Sequence, residues 1–193
     1  TRLLHISTPE IYGSNSKKIL ENQEYQPNTP YAISRTTADF FLNIMHKYKA
    51  APYVSVRASN VYGEYQKMYR IIPKAVSFFS QNRKINLEGG GKSKRSFIHI
   101  DDVSEATLLV LLKGKNGNIY HISGDDLISI KNLLIKISSI LNVDFKKLVK
   151  IYPDRIGKDS FYFLNNSKIK KLGWKQKITL DEGIKRVIRW NQK

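Results

Sequence analysis

The chain has 193 residues, 41% hydrophobic and 25% charged, enough for one large or two small packed cores and too apolar for a disordered chain. It contains no cysteine, which excludes a disulfide framework and any thiolate metal site and fits a reducing compartment. The formal charge of +17 raises nucleic acid as a partner, but the 33 Lys and Arg are spread along the chain rather than gathered in a stripe.

In chain order, the run Leu3–Ile6 reads as a buried strand that leads directly into a turn, so these residues are expected to be a strand rather than a signal peptide. Because the chain starts inside that strand pattern with Thr1, an N-terminal part is expected to lie outside it. Thr29 and Pro30 open a helix with an N-cap and a proline at its first position. That helix carries Phe40, Phe41, Ile44 and Met45 and loses its pattern near Ala50, Ala51 and Pro52. A second strand at 53–56 completes a strand–helix–strand unit of the kind that builds a parallel sheet.

Further on, the spacing predicts a helix over 69–79 with Ile72, Val76 and Phe79 inward, then short strands at 85–87 and 97–100. Asp101 and Asp102 are expected to cap the apolar helix of 106–112. A strand at 118–123 and an amphipathic helix over 128–141 follow. In the densest basic stretch, 167–177, the charges interleave with Ile169, Leu172 and Trp174, the pattern of a solvated face with an apolar back. No nucleic-acid partner is therefore expected. Thr179 to Glu182 form a capping box for a last helix carrying Ile184, Val187, Ile188 and Trp190. No apolar run reaches the roughly 18 residues of a membrane helix, so no membrane partner is expected and the cytoplasm is the expected location. The fold class is α/β.

Two features that suggest chemistry are set aside. Gly89, Gly90, Gly91, Lys92 and Ser93 look like a phosphate-binding loop, but Asn86 and Lys94 stand where the two glycine patterns need Gly. His5, His46, His99 and His121 show no ligand spacing, so no metal is expected.

Three segments carry the candidate chemistry. Thr8 and Glu10 fall at the carboxyl end of the first strand, where open parallel sheets bind ligands; Thr8 also fits a simple cap of a helical turn. Tyr31 and Arg35 are four apart at a helix start, so phenol and guanidinium share a face, and a fixed cation favours the phenolate. The same pair also fits an ordinary surface contact. Ala58 and Ser59, small residues at the end of the second strand, would let a flat cofactor ring approach the backbone, and Asn60 offers donors and acceptors beside them.

These segments, in this order and spacing, resemble the extended short-chain dehydrogenase/reductase family (NAD-dependent epimerases and dehydratases), nearest its dTDP-glucose 4,6-dehydratases. Those enzymes carry a Ser-Thr-acid-Glu-Val-Tyr-Gly strand end, a Pro-Tyr-x-x-Ser-Lys helix start and an Arg-x-Ser-Asn-x-Tyr-Gly turn, matched here by 7–13, 30–35 and 57–63. Arg70 to Pro73, Gly89 to Phe97, Asp154 to Asp159 and Leu172 to Trp174 are similar to further family segments.

The resemblance implies the C-terminal part of a Rossmann-like doubly wound parallel sheet plus a smaller mixed α/β substrate domain. The expected division is 1–66 for the cofactor domain, with 97–123 returning to it, and 67–193 for the nucleotide-sugar domain. It implies NAD as cofactor, near Ser7, Tyr31, Arg35, Ala58 and Ser59, and Thr8, Glu10, Tyr31 and Arg35 as catalytic residues. It implies a nucleotide-diphosphate sugar as substrate, held by Asn60, Arg70, Arg95, Arg155 and Lys158. The partner subunit would be a second copy in a homodimer. Arg35 stands where the family has lysine, and Pro9 where the dehydratases have the acid that protonates the departing hydroxyl. Sister reactions, 4-epimerisation or uronate decarboxylation, and a non-catalytic nucleotide-sugar binder therefore stay open. The Gly-rich turn that cradles the cofactor diphosphate has no counterpart in the sequence, so these 193 residues are expected to be inactive alone.

Overall fold

The structure, a computed structural model, describes residues 1–15, 17–153 and 161–192. β1 (Leu3–Ile6) runs into a short 3-10 helix, Pro9–Tyr12, which Thr8 caps and Gly13 ends. Gly13 has φ 63°, and a Cβ there would lie 2.1 Å from the carbonyl oxygen of Gln26, so the chain can pass only as glycine. α1 (Pro30–Lys49) begins as expected, with the Thr29 hydroxyl accepting from the Ala32 amide at 3.1 Å. β2 (Tyr53–Ala58) pairs in parallel with β1 on one side and with β6 (Asn118–Ile122) on the other. This order, β1-β2-β6, puts the carboxyl ends of all three strands on one side of the sheet.

Between β2 and β6 the chain leaves this sheet and returns. β3 (Asn60–Tyr62) follows β2 after one residue and pairs in parallel with β5 (Lys94–His99). α2 (Ile71–Ser80) and β4 (Ile85–Glu88) intervene, and α3 (Ile100–Lys113) leads back to β6. β7 (Leu127–Ser129) lies antiparallel to β5. α4 (Ile130–Ile140) and the single turn α5 (Phe145–Leu148) then lead to β8 (Val149–Tyr152), which pairs with β4. β9 (Phe161–Tyr162) adds to β5, followed by the short α6 (Ser167–Lys170) and by α7 (Leu180–Asn191).

Two large apolar cores result among the described residues, with a smaller cluster of Ile11, Tyr12, Ile19 and Leu164 that includes two residues of the 3-10 helix. One joins Val54 and Val56 of β2 to Ile98, Ala106, Val110 and Ile122, and it also takes in Ile169 and Trp174 from the basic stretch. The other packs α2, α4 and α7 around Tyr62, Phe79, Leu133 and Ile184. No helix of the described residues is long and apolar enough to cross a membrane.

Two local expectations change. The helix expected over 128–141 begins at Ile130, because Ser129 is its N-cap and 127–129 is spent on strand pairing. The cap of α3 is His99, whose ring accepts from the Asp101 amide at 3.2 Å; Asp101 and Asp102 sit inside the first turn. On α1 the buried positions are Ala32, Thr36 and Asp39, whereas Phe40 and Phe41 are 54% and 62% exposed. The helix turns a polar face inward, for a reason found at the site.

Candidate active site

At the carboxyl ends of β1 and β2 a crevice of about 240 Å³ is walled by Thr8, Pro9 and Glu10 from the 3-10 helix, by Tyr31 at the start of α1, and by Ala58, Ser59 and Asn60. Gln66, Arg70 and Leu164 complete the walls with Val61. A second cavity of about 270 Å³ shares Asn60, Val61, Gln66 and Arg70 with it and extends to Tyr69, Ile72 and Phe97. Residues far apart in the chain thus meet around two adjoining cavities. A larger cavity, about 650 Å³, lies elsewhere, lined by Tyr65 and Trp190, and contains none of the sequence-derived candidates.

Each wall residue is placed by its element. Thr8 is nearly buried, and its Oγ1 accepts from the Glu10 amide at 3.3 Å, which leaves the hydroxyl proton free to be donated. Tyr31 stands in the first turn of α1, half exposed at 54%. Arg35, one turn on, donates through Nη2 to the carbonyl oxygen of Ile6, the last residue of β1. The Asn60 side-chain amide donates to the Ser96 carbonyl at 3.1 Å, which fixes the floor where β3 meets β5. Arg70 is the N-cap residue of α2, with its guanidinium 5.3 Å from the Tyr69 ring centre. It therefore stands at the positive end of a helix dipole.

Ser59 tests whether a ligand belongs here. Its Oγ is buried, lines the crevice and has no hydrogen-bond partner among the described residues. A buried hydroxyl left so is costly unless something else bonds it, and the neighbouring Ala58 leaves room for a flat group against the strand end. The wall fits the nicotinamide end of a dinucleotide. It offers no cradle for the diphosphate, since the three-glycine turn at Gly89–Gly91 is a 3-10 turn packed against Lys131.

Not every candidate reaches the crevice. Arg95 lies on β5, with Nη1 donating to the Lys94 carbonyl at 2.9 Å, and does not line either cavity. The Ser7 hydroxyl is buried and donates to Asp39 Oδ2 at 2.8 Å, so it faces the protein interior. Arg155 and Lys158 lie outside the described residues.

The sequence reading missed the cluster behind the crevice. Arg57 on β2 has a fully buried side chain. It donates to Tyr25 Oη at 2.5 Å, to Asp39 Oδ2 at 2.7 Å and to the Tyr12 hydroxyl. Asp39 Oδ1 faces His5 Nε2 at 2.8 Å, and Tyr12 Oη lies 2.8 Å from His121 Nε2. Burial alone would raise the Asp39 carboxyl, but His5, Arg57 and Ser7 hold it below the usual range. Burial pushes the Tyr12 phenol up despite Arg57, so Tyr12 stays protonated and is not a base. Burial, with Arg57 nearby, lowers His121 to about 3 and keeps it neutral. Gln66 was missed too; its Nε2 donates to the Val61 carbonyl at 2.7 Å while its side chain lines both cavities. Among the described residues, no group of three or more His, Asp or Glu could hold a metal ion.

Comparison with known proteins identifies the family. The GDP-mannose 4,6 dehydratase family model matches residues 1–187. The dTDP-D-glucose 4,6-dehydratase of Mus musculus is 34% identical over all of this chain, which spans 56% of that enzyme's length. A crystal structure of dTDP-glucose 4,6-dehydratase from Streptomyces venezuelae with NAD bound superposes with a TM-score of 0.92 at 32% identity, covering 99% of this chain and 60% of that one. A UDP-glucose 4-epimerase from Thermotoga maritima with UDP-glucose gives 0.92 at 25% identity, covering 99% and 63%.

Proposed function

Since the chain belongs to the GDP-mannose 4,6 dehydratase family of extended short-chain dehydrogenases/reductases, we propose that it carries the proton-transfer and substrate-holding groups of an NAD-dependent nucleotide-sugar 4,6-dehydratase. One observation carries the reading: a single groove gathers Thr8, Glu10, Tyr31, Ser59, Asn60 and Arg70. We place residues 1–66 and 97–123 with the cofactor and most of 67–193 with the nucleotide sugar.

In this reading Tyr31 removes the proton of the sugar's 4-hydroxyl while the Thr8 hydroxyl donates to that oxygen. NAD, when bound beside Ala58 and Ser59, would supply the hydride chemistry, oxidation at carbon 4 and reduction at carbon 6. The 4-ketone acidifies the carbon 5 proton, which Glu10 takes as general base. Hydroxide departs from carbon 6 and needs a proton. Pro9 has none to give, so Glu10, just protonated, supplies it directly or through water, and one water leaves. Carbon 5 regains a proton as the hydride returns to carbon 6, taking it from Glu10 reloaded through water with the proton Tyr31 holds, so each group ends as it began. Arg35 keeps a positive charge on the Tyr31 face without exchanging its proton. Arg70, at the start of α2, meets the diphosphate in the second cavity, with Arg155 and Lys158 as further candidates.

Pro9 favours a second reading, 4-epimerisation, in which no hydroxyl departs and no acid is needed beside Glu10. Incubating the protein, as its gene expresses it, with NAD and a nucleoside-diphosphate glucose separates the two. A 4-keto-6-deoxy product one water lighter supports dehydration. Inversion at carbon 4 at constant mass overturns it, and ligand binding without product leaves a binder. Lacking the glycine cradle, the 193 residues alone are expected to bind NAD weakly, in the millimolar range by about 4 kcal/mol of binding energy, measured by calorimetry. Exposed Phe40, Phe41, Ile44 and Tyr48 on α1 support a homodimer through that helix.

A further inference from the structure

We propose that Asp39 and Arg57 form a buried positioning hub that sets the two elements bearing the proposed acid–base groups against each other. The inference rests on the reading above for its catalytic meaning, but the hub itself is read from geometry. One guanidinium, with no exposed surface, reaches Tyr12 in the 3-10 helix, Tyr25 in the segment before α1, and Asp39 in α1. Through Ser7, Asp39 also holds the residue next to Thr8. Tyr12 is two residues from Glu10, and Tyr31, Arg35 and Asp39 succeed one another at four-residue spacing, on one face of α1. Arg35 clips that face to the end of β1, and Asp39 clips it again one turn on. Thr8, Glu10 and Tyr31 thus owe their separation to the same ion pair.

Packing alone does not require this arrangement. A buried ion pair loses so much hydration that apolar residues of similar size often serve stability as well or better. What those residues lack is direction. The hub holds its partners at 2.5–2.8 Å, and an apolar plug would hold them only by contact. This also explains why α1 turns Asp39 inward and leaves Phe40 and Phe41 outside. Neither residue touches the crevice, so both are positioning residues.

The test is the double variant Asp39→Asn/Arg57→Met, which removes both charges and leaves neither buried alone. In the expressed protein it is expected to keep the melting temperature of the parent within a few degrees, while amide hydrogen exchange rises about tenfold or more at residues 10–13 and 32–39 together and stays slow in β2 and β6. In turnover, kcat should fall by about 10²-fold with KM within about twofold, the mark of misplaced rather than missing groups. A folded variant with parental exchange in either segment, or with parental kcat, overturns the hub. If the double variant does not fold, Tyr25→Phe takes one hydroxyl from Arg57 and must raise exchange in both segments; a rise in neither, or in one alone, counts against it. Exchange needs no catalysis, so a parent without dehydratase activity would sink the proposed function and leave the hub to be decided by exchange alone.

Discussion

Tyr31 and Glu10 occupy the same crevice but act, in the proposed reaction, at different carbons, and this makes their substitutions distinguishable. Tyr31→Phe keeps the ring and its packing and removes only the hydroxyl, so both the first proton transfer and everything after it should slow. We expect kcat to fall by about 10²–10⁴-fold with little change in KM, measured by steady-state kinetics on the expressed protein. Glu10→Gln keeps size and hydrogen bonding but cannot take the carbon 5 proton. Oxidation at carbon 4 should then proceed and stop, so reduced nicotinamide builds up in the near ultraviolet while 4-keto-6-deoxy sugar does not form. Equal loss of both signals would assign Glu10 to substrate binding instead.

At the scale of elements, β3 and α7 show how packing behind the crevice reaches it. Tyr62, two residues after Asn60, lies against Gly183 in α7, where an added Cβ would come within 2.1 Å of its hydroxyl and 2.7 Å of ring carbon Cζ. Gly183→Ala would gain about 1 kcal/mol of helix propensity. Overpacking costs about 1–3 kcal/mol, and Tyr62 is held by Phe97 and His99 on its other faces, so the clash wins. The urea midpoint should drop, with a net loss of up to about 2 kcal/mol of stability, whereas a raised midpoint would mean that α7 shifts freely. The elements themselves were largely legible: β1, the Thr29 cap of α1, the inward face of α2 and the Thr179 cap of α7 follow from periodicity and cap chemistry. The crevice was legible because its walls sit at strand ends and a helix start, which local motifs mark. The hub was not, because Asp39, Arg57, Tyr25 and His121 look like surface polar residues until β1, β2 and α1 close over them. Nor does apolar character say which face a neighbour covers: Phe40 and Phe41 carry the apolar pattern of α1 yet lie exposed. The strand at Leu127–Ser129 was absorbed into a helix because three residues carry no period of their own.

Taken whole, the molecule is a +17 chain with a neutral imidazole buried behind the candidate crevice, and the two features act together in acid. His121 titrates at about 3 in the fold against an ordinary value of 6.5, so below 6.5 the unfolded chain binds a proton that the folded chain refuses. Stability from this group is therefore complete above about 6.5 and is lost as pH falls toward 3, at up to about 1.4 kcal/mol per pH unit. Asp39, lowered from 3.8 in the fold, adds a loss of the same sign at more acid pH, because its carboxylate is the form that the fold holds. Protonating other carboxylates raises an already positive charge and adds self-repulsion in the compact state. His121→Asn keeps a polar group within reach of the Tyr12 hydroxyl but does not titrate. Between pH 6.5 and 4 its unfolding free energy, measured by urea titration at each pH, should be flatter than that of the parent by up to one proton's slope. Parallel curves would mean that His121 charges freely in the fold, and that the wall behind Tyr12 admits the water its burial now excludes.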